Sequence, residues 1–185
     1  DVVSNDNRYT TTFLAPAFRT NLTLTVEVYA PGATNSTNIF NYTVSPAPPN
    51  DNFAAAAKIP TVGGTVTGDN TFGSLEAFEP VHAGVSSAAA SVWWTWAPTN
   101  SGQVLVDPAG SGFDTVVAVY TNGTLPALGL VAAVNDVGLK RQGHLFFTAV
   151  AGETYRIAVA SVNSNDFGAI QLRVDFNGLP DTTAP

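Results

Sequence analysis

Cysteine is missing from the 185 residues, and so is methionine. Without cysteine there is no disulfide staple, no thiolate metal site and no thiol nucleophile. A bacterial exported protein with a sufficient core tolerates that absence. Basic residues are scarce as well: seven Lys and Arg against fourteen Asp and Glu leave a formal net charge of −7. Spread thinly along the chain, they make no basic patch, which argues against nucleic acid and anionic membrane surfaces and leaves cationic partners or metal ions. With two histidines in all, imidazole chemistry would have to run through His82 or His144. Neither accompanies a Gly-x-Ser-x-Gly elbow, and metalloprotease, P-loop and dinucleotide motifs are absent. A structural loop hydrogen bond is therefore the reading for His82. No apolar run approaches a transmembrane span, and the mean hydropathy is only +0.14. The chain opens in polar sequence at Asp1 without a leader, so it reads as a mature or excised fragment.

What the chain has in quantity is alternation punctuated by turn formers. All three tryptophans fall in Ser91-Val92-Trp93-Trp94-Thr95-Trp96. Period two puts Val92, Trp94 and Trp96 on one face, with Trp93 and Thr95 on the other. Phe113, Thr115, Val117 and Val119 share a face in the same way, as do Ile170, Leu172, Val174 and Phe176. Gly63-Gly64, Gly68-Asp69-Asn70, Asn100-Ser101-Gly102, Gly110-Ser111-Gly112, Asn122-Gly123 and Ala151-Gly152 cut the sequence at intervals suited to about eight strands of a sandwich. Phe53 to Lys58 reads as one short helical turn. The predicted core is Val92, Trp94, Trp96, Phe113, Val117, Val119, Phe147, Tyr155, Ile157, Val159, Leu172 and Val174.

Upstream, strands are expected at Tyr9–Leu14, Leu22–Tyr29 and Ile39–Val44, with a hairpin at Ala30-Pro31-Gly32-Ala33. Their pattern is similar to the last three strands of a bacterial immunoglobulin-like domain, which needs about seven. Pro46-Ala47-Pro48-Pro49 reads as a stiff extended linker, because proline fixes φ and restrains the residue before it. The organisation expected is thus a partial immunoglobulin-like segment over 1–45, a proline linker over 46–49, a sandwich over 50–178, and a connector over 179–185 to a further domain.

Four blocks in order, Pro49-Asn50-Asp51-Asn52-Phe53, the tryptophan block, Phe113-Asp114-Thr115-Val116-Val117 and Ala149-Val150-Ala151-Gly152-Glu153-Thr154-Tyr155, resemble the bacterial pre-peptidase C-terminal domain over about residues 48–176. The resemblance implies an antiparallel, jelly-roll-like β-sandwich that is secreted or displayed on the bacterial cell surface. It also implies a non-catalytic role in attachment, spacing or assembly within a larger protein. Two alternatives stand beside that role. One is a carbohydrate- or protein-binding accessory domain of an exported hydrolase. The other is a self-assembling filament or surface-layer subunit that completes a neighbour's sheet with its N-terminal strands. The partners expected are neighbouring domains of the same polypeptide, identical subunits, or an extracellular polysaccharide or protein.

Candidate sites follow from carboxylates and aromatics. Asp51, Asp69, Glu76, Glu79, Asp107, Asp114, Asp136 and Asp166 fall mostly at turns or strand ends, where converging oxygens suit Ca²⁺. The competing reading makes them turn formers that bond their own backbone. Some relatives in the resembled family bind calcium near the linker, which selects Asp51, Asp114 and Asp136 as ligands if Ca²⁺ binds. Val137, where the family often has a second acid, weakens that set. Trp93 is the candidate sugar- or peptide-stacking residue, with core packing as its competitor. Sequons at Asn21, Asn35, Asn41 and Asn122 matter only in a glycosylating host.

Overall fold

The computed structural model describes residues 20–28, 36–121, 123–138 and 141–176, with side chains from residue 45 onward. The expected strand at 9–14, the hairpin turn at 30–33, the Asn122 sequon and the connector at 179–185 lie outside them. The chain divides into two compact units, one ending at Pro46 and the other beginning at Ala47. In the first, β1 (Thr20–Val28) pairs antiparallel with β2 (Ser36–Val44), with Val28 opposite Ser36 and Thr20 opposite Val44. The alternation of Leu22, Leu24, Val26 and Val28 is what makes this segment a strand.

The second unit is an all-β sandwich. One sheet holds β3 (Ala57–Lys58), β5 (Ser91–Trp96), β7 (Thr115–Thr121), β8 (Gly129–Val134) and β10 (Tyr155–Ser161), in the order β3-β5-β10-β7-β8. The other holds β4 (Gly63–Asp69), β6 (Gly102–Asp107), β9 (Leu145–Ala149) and β11 (Ala169–Phe176), in the order β4-β11-β6-β9. All pairings are antiparallel except the two-residue contact of β3 with β5. Phe53–Ala55 forms the expected short turn as a single 3₁₀ segment, after which the chain extends into β3 rather than continuing to Lys58 as helix. No helix among the described residues is long and apolar enough to cross a membrane.

The core lies between the sheets. Val92, Trp94 and Trp96 from β5 meet Val117 and Val119 from β7, Ile157 and Val159 from β10, Val104 and Val106 from β6, and Leu172 and Val174 from β11. Every residue of the predicted core is buried. Trp96 also donates its indole N–H to the Pro60 carbonyl at 2.9 Å, which satisfies the polar edge of a buried ring. On β11 the burial alternates strictly from Ala169 to Val174, so the four-stranded sheet turns one face to water in the usual antiparallel manner. Gly63 is required by geometry: its φ is +81° and a Cβ there would lie 2.3 Å from the Val174 carbonyl oxygen.

The five-stranded sheet is different, since β5 and β7 are buried on both faces. On the outer face Phe53, Trp93, Ala118, Tyr120 and Ala158 form a second apolar cluster. The segment from Asn70 to Ala90, with one 3₁₀ turn at His82–Gly84 and no strand, brings that turn against β7 and β8.

Trp94 is 1% exposed and packs against Gly68, where an added Cβ would fall 2.8 Å from its ring. Trp94→Ala is expected to cost about 3–5 kcal/mol through lost burial and the cavity left behind, read as a lower midpoint in urea unfolding.

Candidate functional site

A connection of this length without strands is unusual in a compact domain and commonly carries function. This one is tied down along its course. Asp69 Oδ1 accepts the Thr71 N–H at 2.7 Å, and the Asn70 carbonyl accepts the Gly73 N–H at 2.9 Å. Asp51, itself buried, accepts from both the backbone N–H of Ser74, at 2.7 Å, and its hydroxyl, at 2.9 Å. Further on, Ser87 Oγ donates to the Val162 carbonyl at 2.7 Å.

The middle of the segment is fixed by a chain of polar groups. Glu79 and His82, three residues apart, lie inward with side chains only 2% and 1% exposed, and Oε1 of the carboxylate accepts from Nε2 at 2.8 Å. In the neutral ring that leaves Nδ1 as an acceptor for the Tyr120 hydroxyl, 2.6 Å away on β7. Glu79 Oε2 accepts the Glu76 N–H at 2.8 Å, and Glu76 Oε2 accepts the Phe53 N–H. Each link satisfies a group that burial would otherwise leave exposed to a low dielectric. Burial, and behind it the Glu79 carboxylate, push the Tyr120 hydroxyl well above the ordinary phenol value.

Trp93 sits beneath this chain. It is 0% exposed and enclosed edge-on by Phe53, at 5.1 Å between centroids, and by His82, at 5.5 Å. The reading of Trp93 as a stacking face for a ligand is therefore corrected: the segment from Asn70 to Ala90 and the Phe53 turn cover it. His82 takes the structural loop hydrogen bond expected of it. His144 lies beside Phe146 at the start of β9, packed edge-on at 5.6 Å.

The three carboxylates selected for Ca²⁺ are not brought together. Asp51 spends its oxygens on Ser74. Asp114 faces the Arg141 Nε at 3.3 Å, and the same guanidinium reaches Asp166 at 3.2 Å. Asp136 accepts from the Asn135 amide at 2.8 Å. Among the described residues, no group of three His, Asp or Glu gathers as a ligand set. Asp51 and Asp114 meet donors far away in sequence, and Asp114 Oδ1 is buried without a partner among the described residues. The turn-former reading fits Asp69 and Asp107, which accept the Thr71 and Ala109 N–H groups.

The large side chains that the segment presents to solvent are apolar. Phe72 is 59% exposed and Phe78 79%, with Leu75 and Val81 also open. Phe72 and Phe78 both have left-handed backbone, at φ 64° and 72°, where a bulky residue is strained. Leu75, Pro80, Val81 and Val85 line a groove with Glu76 and Glu79. Sequence reasoning missed these residues because it sought strands. The available signal was two phenylalanines in Asp69-Asn70-Thr71-Phe72-Gly73-Ser74-Leu75-Glu76-Ala77-Phe78-Glu79-Pro80, where no alternation gives them a sheet face.

Two measurements check this arrangement. Tyr120→Phe removes the donor to His82 and is expected to cost about 1–3 kcal/mol. Because the folded state holds the Tyr120 proton more tightly than the unfolded chain, whose phenol titrates near pH 10.0, that contribution is complete below this pH and is lost as pH rises above it. Urea unfolding from pH 8 to 11 is expected to show that decline in the native chain and a flatter profile in Tyr120→Phe. Separately, Phe72→Asn and Phe78→Asn relieve left-handed strain at exposed positions. They are expected to leave stability unchanged or raise it by up to about 1 kcal/mol, measured as the thermal midpoint.

No protein-family model matches this chain, and no curated protein matches it.

Proposed function

We propose that the chain is a non-catalytic attachment module of a larger exported bacterial protein, and that the segment from Asn70 to Ala90 is its contact surface. The observation that carries this reading is the combination of tight anchoring with apolar display. Phe72 and Phe78 are held in strained conformations, facing water, on a backbone tied to Asp51, Asp69 and Glu79. Strain and apolar exposure both cost stability, and such features cluster where a protein meets something else. The polar groups suited to catalysis are turned inward: His82 and Glu79 are buried and bonded to one another and to Tyr120. The resemblance of residues 48–176 to pre-peptidase C-terminal domains points the same way, to an extracellular accessory role beside neighbouring domains.

Retention on insoluble fibrous protein and polysaccharide tests the reading. The native chain is expected to be held on at least one such matrix, and Phe72→Asn/Phe78→Asn to be washed off while staying folded. Turnover of peptide, ester or glycoside substrates that disappears in His82→Ala or His144→Ala would defeat it.

A second reading, assembly by strand addition, is favoured by one observation. Among the described residues β1 and β2 pair only with each other, and a two-stranded sheet is marginal alone while its edges invite pairing. Under this reading the whole chain associates with rising concentration in sedimentation, and deletion of residues 1–45 leaves a folded monomer. A whole chain that stays monomeric at high concentration rules assembly out.

A further inference from the structure

The groove of the anchored segment has a polar feature that apolar display does not explain. Its walls include Leu75, Pro80, Val81 and Val85, and Glu76 and Glu79 line it too. Glu79 has both oxygens engaged, one by His82 and one by the Glu76 N–H. Glu76 has one oxygen engaged by the Phe53 N–H. Its second oxygen, Oε1, takes no hydrogen bond among the described residues. No Lys or Arg occurs from residue 59 to residue 139, so that stretch supplies no cationic side chain to answer it.

We propose that this groove takes a lysine or arginine side chain flanked by apolar residues, presented by a protein partner. The inference rests on the attachment reading and names the chemistry of what is attached. A basic side chain fits both parts of the site: its aliphatic stem lies along Leu75 and Val81, while its charged head reaches the free oxygen of Glu76. Charge decides among occupants. A second copy of this chain would bring another −7 and another Glu76 to the contact, and an anionic lipid surface is repelled for the same reason. A zwitterionic lipid surface would engage the apolar residues but bury the Glu76 charge without a counter-charge, which is costly. A partner segment alternating apolar and basic residues meets both needs.

The test uses the whole chain and three synthetic peptides of equal length, alternating leucine with lysine, with glutamine or with glutamate, measured by calorimetry. Phosphatidylcholine vesicles serve as the lipid probe. The leucine–lysine peptide is expected to bind, with the glutamine peptide weaker and the glutamate peptide weakest. Glu76→Gln keeps an amide oxygen for the Phe53 N–H, and it is expected to weaken the lysine peptide about fivefold while leaving the glutamine peptide unchanged. Val81→Ser is expected to weaken both peptides by a similar factor. Should Glu76→Gln fail to fold, Val81→Ser and the charge series among peptides carry the test. Equal binding of lysine and glutamate peptides, or lysine-peptide binding unaffected in both variants, overturns the proposal. So does adsorption to the vesicles, lost in Val81→Ser, without peptide binding. A native chain that binds no peptide yet is retained on a matrix overturns the groove proposal and leaves the attachment reading standing. Cleavage of a peptide counts against the attachment reading itself.

Discussion

Trp93 points away from the core of the sandwich and is nevertheless wholly buried. A large indole on the outer face of a sheet would otherwise stand in water, so the fold needs a second cover for the five-stranded sheet. Much else follows from that need. The chain between β4 and β5 does not return by a tight turn but travels across the face. The Phe53 turn closes the cover from the other side, and Asn50 engages both backbone groups of Trp93: the Asn50 backbone carbonyl accepts the Trp93 N–H at 2.8 Å and the Asn50 side-chain Nδ2 donates to the Trp93 carbonyl at 3.0 Å. The segment next to Pro48 and Pro49 is thus fastened to β5. One ring nitrogen remains unsatisfied, since Trp93 Nε1 has no hydrogen-bond acceptor among the described residues.

A cover made of irregular backbone brings polar groups that a strand would have paired in a ladder. The side chains of Asp51, Glu76, Glu79 and His82 take over that task, and this explains why carboxylates are placed inward in a chain with few charges. The same economy accounts for the Asp114, Arg141 and Asp166 cluster at the start of β7, where one exposed guanidinium answers two carboxylates. The acidic composition that suggested a metal ion is largely absorbed by the protein's own donors. What faces outward from the cover then includes large apolar side chains, Phe72, Leu75, Phe78 and Val81, beside a few serines.

The sandwich was legible in the sequence because period two is a local property: Val92, Trp94 and Trp96, or Leu172 and Val174, announce their faces without reference to the rest of the chain. The opposite face of β5 was less legible. Period two separates Trp93 from Trp94 but does not say whether the second face is wet, and that depends on the segment leading into β5, which has no period at all. His82 was visible as a loop residue and Glu79 as one carboxylate among several, but their meeting with Tyr120 is a tertiary event that spacing does not encode. Whether the three acids gather is likewise a tertiary matter, and among the described residues they do not form one cluster. Asp51, Asp114 and Asp136 look alike in sequence, and only their separate donors distinguish them. Left-handed φ at Phe72 and Phe78 ran against residue preference, since glycine or asparagine is the usual choice there, and so gave no forward signal.

The order of strands has a consequence for how the molecule comes into being. β10 stands between β5 and β7, and β11 stands between β4 and β6, so the last strands described occupy interior places in both sheets. Of the nine strands among the described residues of the sandwich, only β7 and β8 are neighbours both in the chain and in a sheet. Nothing emerging earlier from a ribosome can close either sheet, because an interior member has not yet arrived. Folding must wait for residues near Phe176, and closing so many distant pairings makes it slow. A chain that stays open until its final strands appear leaves Trp93 exposed until the end of the process, sealed only when the sheet beneath it exists.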